Sequence, residues 1–137
     1  MERVLFDTNV ILDIALKRLP HFTYAMKLFT LIDKEKIIGH VTASTITDIY
    51  YLSKKEKGHN VTLEFIRDLI EVVKIIGVDR DVIVNALSSD MKDFEDAIQV
   101  FAAEFSEIDC IITRNEKDFT GSKVEILNPK KFLEAQK

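Results

Sequence analysis

Asp7 stands where an apolar run, Val4-Leu5-Phe6, stops. Thr8 and Asn9 follow it before a new apolar pattern begins. Further acids recur at element boundaries: Asp48 inside "TITDIYYL", Asp93 and Asp96 in "DFED", and Asp118 shortly after the "ITRN" that holds Thr113 and Asn115. Carboxylates brought to one place repel each other, and without a counter-charge one of them takes up a proton. A hard divalent cation removes the conflict, and oxygen ligands with open water positions suit Mg²⁺ or Mn²⁺. Such an ion lowers the pKa of a bound water and can clamp a phosphate during in-line displacement. If these residues converge, metal-assisted chemistry on a phosphodiester is the reaction they fit.

Each residue also has a plain structural reading. Asp7 could cap the helix that follows it, with Thr8 and Asn9 in the first turn. Asp93 and Asp96, three apart, resemble a cap and a first-turn acid favoured by the helix dipole. For Asp93 that reading is the better one. Asp48 could be a solvated helix acid, although its neighbours look buried. Thr113 could be an ordinary strand-end residue, and Asn115 a helix cap with Asp118 at its third position. Asp13, Asp33, Asp68, Asp79, Asp81 and Asp90 read as surface or cap residues and receive no role.

Convergence depends on the elements. Residues 3–6, 37–41, 74–78, 109–113 and 124–127 are short, apolar and β-prone, and read as strands. Between them, residues 9–18, 22–35, 44–57, 60–73, 81–87 and 93–105 carry helical spacing, and 128–137 closes the chain. Gly58 ends one helix, and Asn60 or Thr62 could cap the next. Asp79 or Asp81 opens another. Asn128 caps the last helix, with Pro129 in its first position. Alternating strands and helices imply an α/β fold, a five-stranded parallel sheet with helices on both faces. In such sheets ligands bind beyond the carboxyl ends of the strands. Asp7 and the 113–115 segment occupy that edge directly. Asp48 and Asp96 lie near the starts of helices expected there.

The bulk numbers set limits. A chain of 137 residues is the size of one domain, read here as 1–137. With 47% hydrophobic and 31% charged residues it can bury a core. No stretch approaches the roughly 18–20 apolar residues that span a bilayer. No signal peptide is apparent, so a cytoplasmic protein without membrane association is expected. The single cysteine, Cys110, reads as a buried strand residue, and His21, His40 and His59 form no metal-spaced pair. The net charge of −4 offers no global field for nucleic acid, so any attraction must be local or carried by cations.

Four segments, "LFDTNVILD", "TASTITDIYYL", "DFEDAIQVFAAE" and "DCIITRNEKDF", together resemble the PIN domain (PilT N-terminal), in particular VapC-like ribonuclease toxins of toxin–antitoxin pairs. The resemblance runs from residue 4 to about 127. It implies a three-layer α/β/α fold and an Mg²⁺- or Mn²⁺-dependent endoribonuclease. Asp7 matches the family's first acid and Asp96 its third, and these two would bind the principal ion. Asp48 matches the second acid, usually a glutamate, and would position the ion or the attacking water. Thr113 and Asn115 match the motif after the fourth strand, where many members carry an acid in place of Asn115. They would hydrogen-bond a metal ligand or the scissile phosphate. Asp118 matches a further acid and, with Asp93, is an additional candidate ligand. Implied partners are an RNA substrate, a small antitoxin protein and a second copy of the chain.

Two other readings compete. The shortened acid at 48 and the amide at 115 suit a catalytically weak or inactive PIN scaffold that binds protein or RNA. A phosphoacceptor receiver domain shares the sheet but needs an acid pair after the first strand, and "FDTN" supplies one. It also needs a lysine after the fifth strand, where "EILNPKK" offers one only beyond a proline.

Overall fold

A computed structural model describes residues 1–136. In chain order the elements are β1 (Glu2–Phe6), α1 (Thr8–Ala15), α2 (His21–Asp33), β2 (Ile37–Thr42), α3 (Ala43–Lys57), α4 (His59–Val72), β3 (Lys74–Ile76), α5 (Arg80–Leu87), α6 (Phe94–Phe105), β4 (Cys110–Ile112), β5 (Glu125–Leu127) and α7 (Pro129–Ala135). A 3₁₀ turn, Glu116–Phe119, lies between β4 and β5. The five strands pair in parallel in the order β3-β2-β1-β4-β5, so β1 is central. This is the three-layer α/β/α arrangement and the five-stranded parallel sheet that the alternation of elements predicts.

Strand parity divides the core. Val4 and Phe6 face one layer, with Val10 of α1, Leu28 of α2, Leu69 of α4 and Phe132 of α7. Leu5 faces the other, with Val82 of α5 and Val100 of α6. In β4, Cys110 and Ile112 join the first layer and Ile111 the second. Side chains alternate faces along a strand, so the next position, Asp7, turns toward the α5/α6 layer. The register pairs Phe6 with Ile112, and the Asp7 N–H donates to the Ile112 carbonyl at 3.0 Å. Asp7 and Thr113 therefore leave the sheet side by side. Cys110 is buried as expected, and burial pushes its thiol up to about 12.

Several boundaries differ from expectation for local reasons. α1 stops at Ala15 because Lys17 turns into the left-handed region, at φ 51°, and the Arg18 N–H donates back to the Asp13 carbonyl. Neither Asn60 nor Thr62 caps α4. Gly58, at φ 84°, both closes α3 and precedes α4, which begins at His59. Thr62 is buried instead and donates to Ser53 Oγ at 3.2 Å. Asp79, not Asp81, caps α5. Asn128 caps α7 as expected.

The largest correction concerns Asp13, read from sequence as a surface or cap residue. It is 1% exposed. Its Oδ2 lies 2.8 Å from Arg114 Nε, and its Oδ1 accepts from Arg114 Nη2 at 3.2 Å and lies 3.1 Å from Arg18 Nε. Arg114 also reaches His21 Nε2 at 3.3 Å. Arg114 follows Thr113 directly, so this ion pair ties α1 to the end of β4. Removing one partner of a buried pair leaves an uncompensated charge. Arg114→Met should cost about 3 kcal/mol in urea unfolding, and Asp13→Leu added to Arg114→Met should recover part of it. An unchanged urea midpoint for Arg114→Met would show that Arg18 alone balances Asp13.

Candidate active site

At the carboxyl edge of the sheet is a cleft of about 430 Å³, lined by Asp7, Asp48, Asp93, Glu95, Asp96 and Asp118, with Asn115 at its wall. The convergence predicted for Asp7, Asp48 and Asp96 is therefore present, and Asp93 and Asp118 join it. Glu95 is an addition that the spacing argument passed over. None of the lining residues is basic.

Asp7 is buried, at 4% exposure. It occupies the N-cap position of α1, yet its side chain accepts no helix N–H, which removes the capping explanation. Instead the Thr113 hydroxyl donates to Oδ2 at 2.7 Å and the Gln99 amide Nε2 donates to Oδ1 at 2.9 Å. Both donors are neutral, so they fix the carboxylate's orientation without cancelling its charge. Thr113 is fully buried and its oxygen also accepts from the Asn115 N–H at 3.0 Å. It thus touches Asp7 and not the open cleft, which leaves its predicted contact to a candidate metal ligand and removes a direct contact to phosphate. Asn115 makes no side-chain cap bond and lines the cleft.

Gln99 is a second residue that the sequence reading missed. It is 4% exposed on α6, among Ala97, Ile98 and Val100, and its Oε1 is buried without a hydrogen-bond partner. A half-satisfied amide in a core is costly. Its position within the apolar run "DAIQVFAA" was the available signal, because a glutamine on a buried helix face needs a polar partner.

The remaining acids are placed by helix starts. Asp93 caps α6, its Oδ1 accepting from the Asp96 N–H at 3.0 Å, so the structural reading of Asp93 holds while the residue still borders the cleft. Asp48 sits in the second turn of α3. That helix is anchored beside α1 by Thr45 Oγ1, 2.8 Å from Thr8 Oγ1, and by Thr42, whose hydroxyl caps α3.

Crowding shows in the acidities. Burial, then the charges of Asp93, Asp7, Asp118 and Glu95, push the Asp96 carboxyl up to about 7. Glu95 is raised first by the Asp48 charge and then by burial, and Asp48 by burial. The donor set is carboxylate, amide and hydroxyl oxygen, without thiolate or imidazole, which fits a hard cation and not zinc. Among the described residues, no three His, Cys, Asp or Glu side chains stand close enough to hold an ion by themselves.

These acidities set a pH dependence for the metal-free protein. Asp96 holds its proton more tightly folded, at about 7, than unfolded, near 3.8. The folded state binds more protons across that window, so stability falls as pH rises through it and is lowest above 7. With EDTA present, the urea midpoint should drop between pH 5.5 and pH 8, and Asp96→Asn should flatten the drop. Equal pH responses in the two proteins would count against the crowding.

A central parallel sheet with a strand-end carboxylate facing an acid cleft without a basic lining residue defines a class of α/β/α domains. A model of the PIN domain family matches residues 3–117, and the chain belongs to that family. It is 27% identical over 139 residues to Ribonuclease VapC1 of Aquifex aeolicus (strain VF5), covering 97% of this chain and 94% of that protein. Its fold is similar to that of a toxin–antitoxin complex from Klebsiella pneumoniae, with a TM-score of 0.70 at 22% identity, covering 92% of this chain and 97% of that one. It is also similar to VapC20 of Mycobacterium tuberculosis, a Sarcin-Ricin loop cleaving toxin, with a TM-score of 0.64 at 14% identity over 79% of this chain and 86% of that one.

Proposed function

We propose that this protein is an Mg²⁺- or Mn²⁺-dependent endoribonuclease and the toxin of a toxin–antitoxin pair. The observation that carries the reading is Asp7, buried at the end of the central strand, oriented by Gln99 and Thr113, and facing an acid cleft without a basic residue. The name of the Aquifex relative, a ribonuclease, and the toxin–antitoxin complex from Klebsiella support it. Asp7 and Asp96 would hold the ion, with Asp48, Asp93 and Asp118 completing its surroundings. A bound ion supplies positive charge that polarises the phosphodiester and acidifies water. Asp48, beside Tyr51 and Leu52 in the cleft wall, orients the attacking water and accepts its hydrogen bond. Asn115 offers a neutral amide donor to a phosphate oxygen. Gln99 and Thr113 keep both Asp7 oxygens in place while water attacks phosphorus in line and the ribose 3′ oxygen leaves.

One observation favours a second reading, a catalytically weak scaffold that binds RNA or protein. Aspartate at 48 is a methylene shorter than the family's usual glutamate, and among the described residues no three acids close on one point. Cleavage of a single-stranded RNA panel with Mg²⁺ or Mn²⁺, abolished by EDTA, separates the two. In the same assay Asp7→Asn should reduce cleavage by about 100-fold or more, while its thermal stability holds or rises as repulsion is relieved. Gln99→Leu should weaken Mn²⁺ binding about 10- to 100-fold, as loss of an outer-shell contact does. Full activity in Asp7→Asn would sink the catalytic reading.

No helix among the described residues is long and apolar enough to cross a membrane, and a cytoplasmic site of action is part of the proposal. Tyr51 and Leu52, exposed at the mouth of the cleft, suit coverage by a small antitoxin. Apolar residues of α2 and α4 bear on the second copy that the resemblance implies: Leu69 and, just after α4, Val73 are buried, and Phe29, Phe65 and Ile66 pack on the core. Met26 and Ile70 remain exposed, at 42% and 47%, with Val72 and Ile75 nearby in sequence to Ile70. We rest the homodimer on these exposed apolar side chains, since an exposed apolar patch usually marks an interface. Light scattering at micromolar concentration should give twice the 15.7 kDa chain mass. A monomer mass at every concentration would remove the dimer and leave the nuclease.

A further inference from the structure

A second cleft, of about 660 Å³, adjoins the acid cleft and shares Asp93 and Asp118 with it. It runs between the loop before α6, the outer side of α6 and the turn at 117–123. Its size falls within the roughly 300–1,000 Å³ of sites that take small organic ligands. Lys92, Lys117 and Lys123 line it, all exposed and none in an ion pair among the described residues. Met91, Val100 and Phe101 give it an apolar wall. Asp90 and Glu104 also line it, and neither is in an ion pair among the described residues.

That mixture is informative. A plain anion site would not carry four carboxylates, Asp90, Asp93, Glu104 and Asp118, beside its three lysines, and none of the four is in an ion pair among the described residues. A groove for an apolar segment would not need three unpaired ammonium groups. A ligand with a phosphate, a flat apolar face and an amino donor matches all three features. Basic side chains track the backbone of single strands, and bases lie on aromatic or apolar surfaces. A carboxylate accepts from an exocyclic amino group, such as the cytosine N4 amine.

We propose that this cleft is a nucleotide subsite, taking an amino-bearing nucleotide that flanks the scissile phosphate of single-stranded RNA. The inference rests on the ribonuclease reading for its place along the strand. The lysines hold the nucleotide's phosphate, Met91 and Phe101 carry the base, and Glu104 accepts from its amino group. Cytidylate and uridylate are the same size, but uracil presents a carbonyl where cytosine presents the amine. The subsite therefore selects between them through Glu104.

The test is a titration of the ¹⁵N-labelled full chain with 5′-CMP and 5′-UMP in EDTA, read by amide chemical shifts. CMP should move amides in 91–93, 100–104 and 117–123, and UMP should bind about fivefold more weakly for want of one hydrogen bond. Glu104→Gln should erase the preference. Lys92→Ala, Lys117→Ala and Lys123→Ala combined should weaken CMP binding about tenfold and raise KM for RNA, with kcat at saturation little changed. Shifts elsewhere only, equal affinity for CMP and UMP, or a KM indifferent to the lysines would each overturn the subsite. The titration uses neither metal nor cleavage. A protein that binds CMP here but cuts no RNA would sink the ribonuclease reading and leave the nucleotide site standing. A nuclease whose KM ignores the lysines would sink the subsite alone.

Discussion

The carboxylate of Asp7, held between the Thr113 hydroxyl and the Gln99 amide, is the contact on which the cleft depends. It joins three elements that are far apart in sequence: the central strand, its neighbour β4 and helix α6. Its geometry follows from sheet register, because Phe6 pairs with Ile112 and the next residue on each strand turns to the same face. A carboxylate at that place cannot relax into solvent, and its donors cannot neutralise it. Two donors, one on each carboxylate oxygen, therefore fix the orientation of Asp7 within the fold itself.

Asp13 shows the alternative. It lies six positions further on, is as deeply buried, and belongs to the same helix whose start Asp7 marks. There the fold supplies two arginines, and the charge is compensated within the chain. Asp7 receives neutral donors and faces more acids. The two aspartates thus separate by partner type: cationic partners close a charge into the structure, and neutral donors leave it available. Arg114 and Thr113 are adjacent in sequence and serve the two cases in turn, one on each face of the strand end. The short segment 113–115 accordingly both fastens α1 and orients the cleft.

The layout was largely legible in the sequence, because period-two apolar runs and helical spacing report burial directly. Strand ends located Asp7 and Thr113, and helix starts located Asp48, Asp93 and Asp96. What stayed hidden were side-chain partners. Whether Asp7 caps its helix or turns to α6 depends on what waits across the sheet edge, and Gln99 is 92 residues away. Asp13 looked like a surface acid because its compensation comes from Arg114, 101 residues on. Glu95 escaped because a first-turn acid has an adequate local explanation in the helix dipole. Local pattern predicts where the backbone goes, and long-range pairing decides what a polar side chain does there.

Carboxyls crowd the acid cleft, and that has a thermodynamic consequence for any ligand it takes. Asp96 sits near neutrality and Glu95 and Asp48 are raised, so folding carries electrostatic work that no residue in the cleft offsets. A cation that binds the folded cleft and not the unfolded chain returns that work as affinity and stabilises the fold by mass action. An extended nucleic-acid strand adds negative charge, so it gains access only with cations or lysines beside it. In the proposed nucleotide subsite, the lysines of the adjoining cleft would supply the compensating positive charge, although the chain as a whole carries a net charge of −4. On that proposal, local charge placement rather than the global field would decide which part of a polyanion meets the acids.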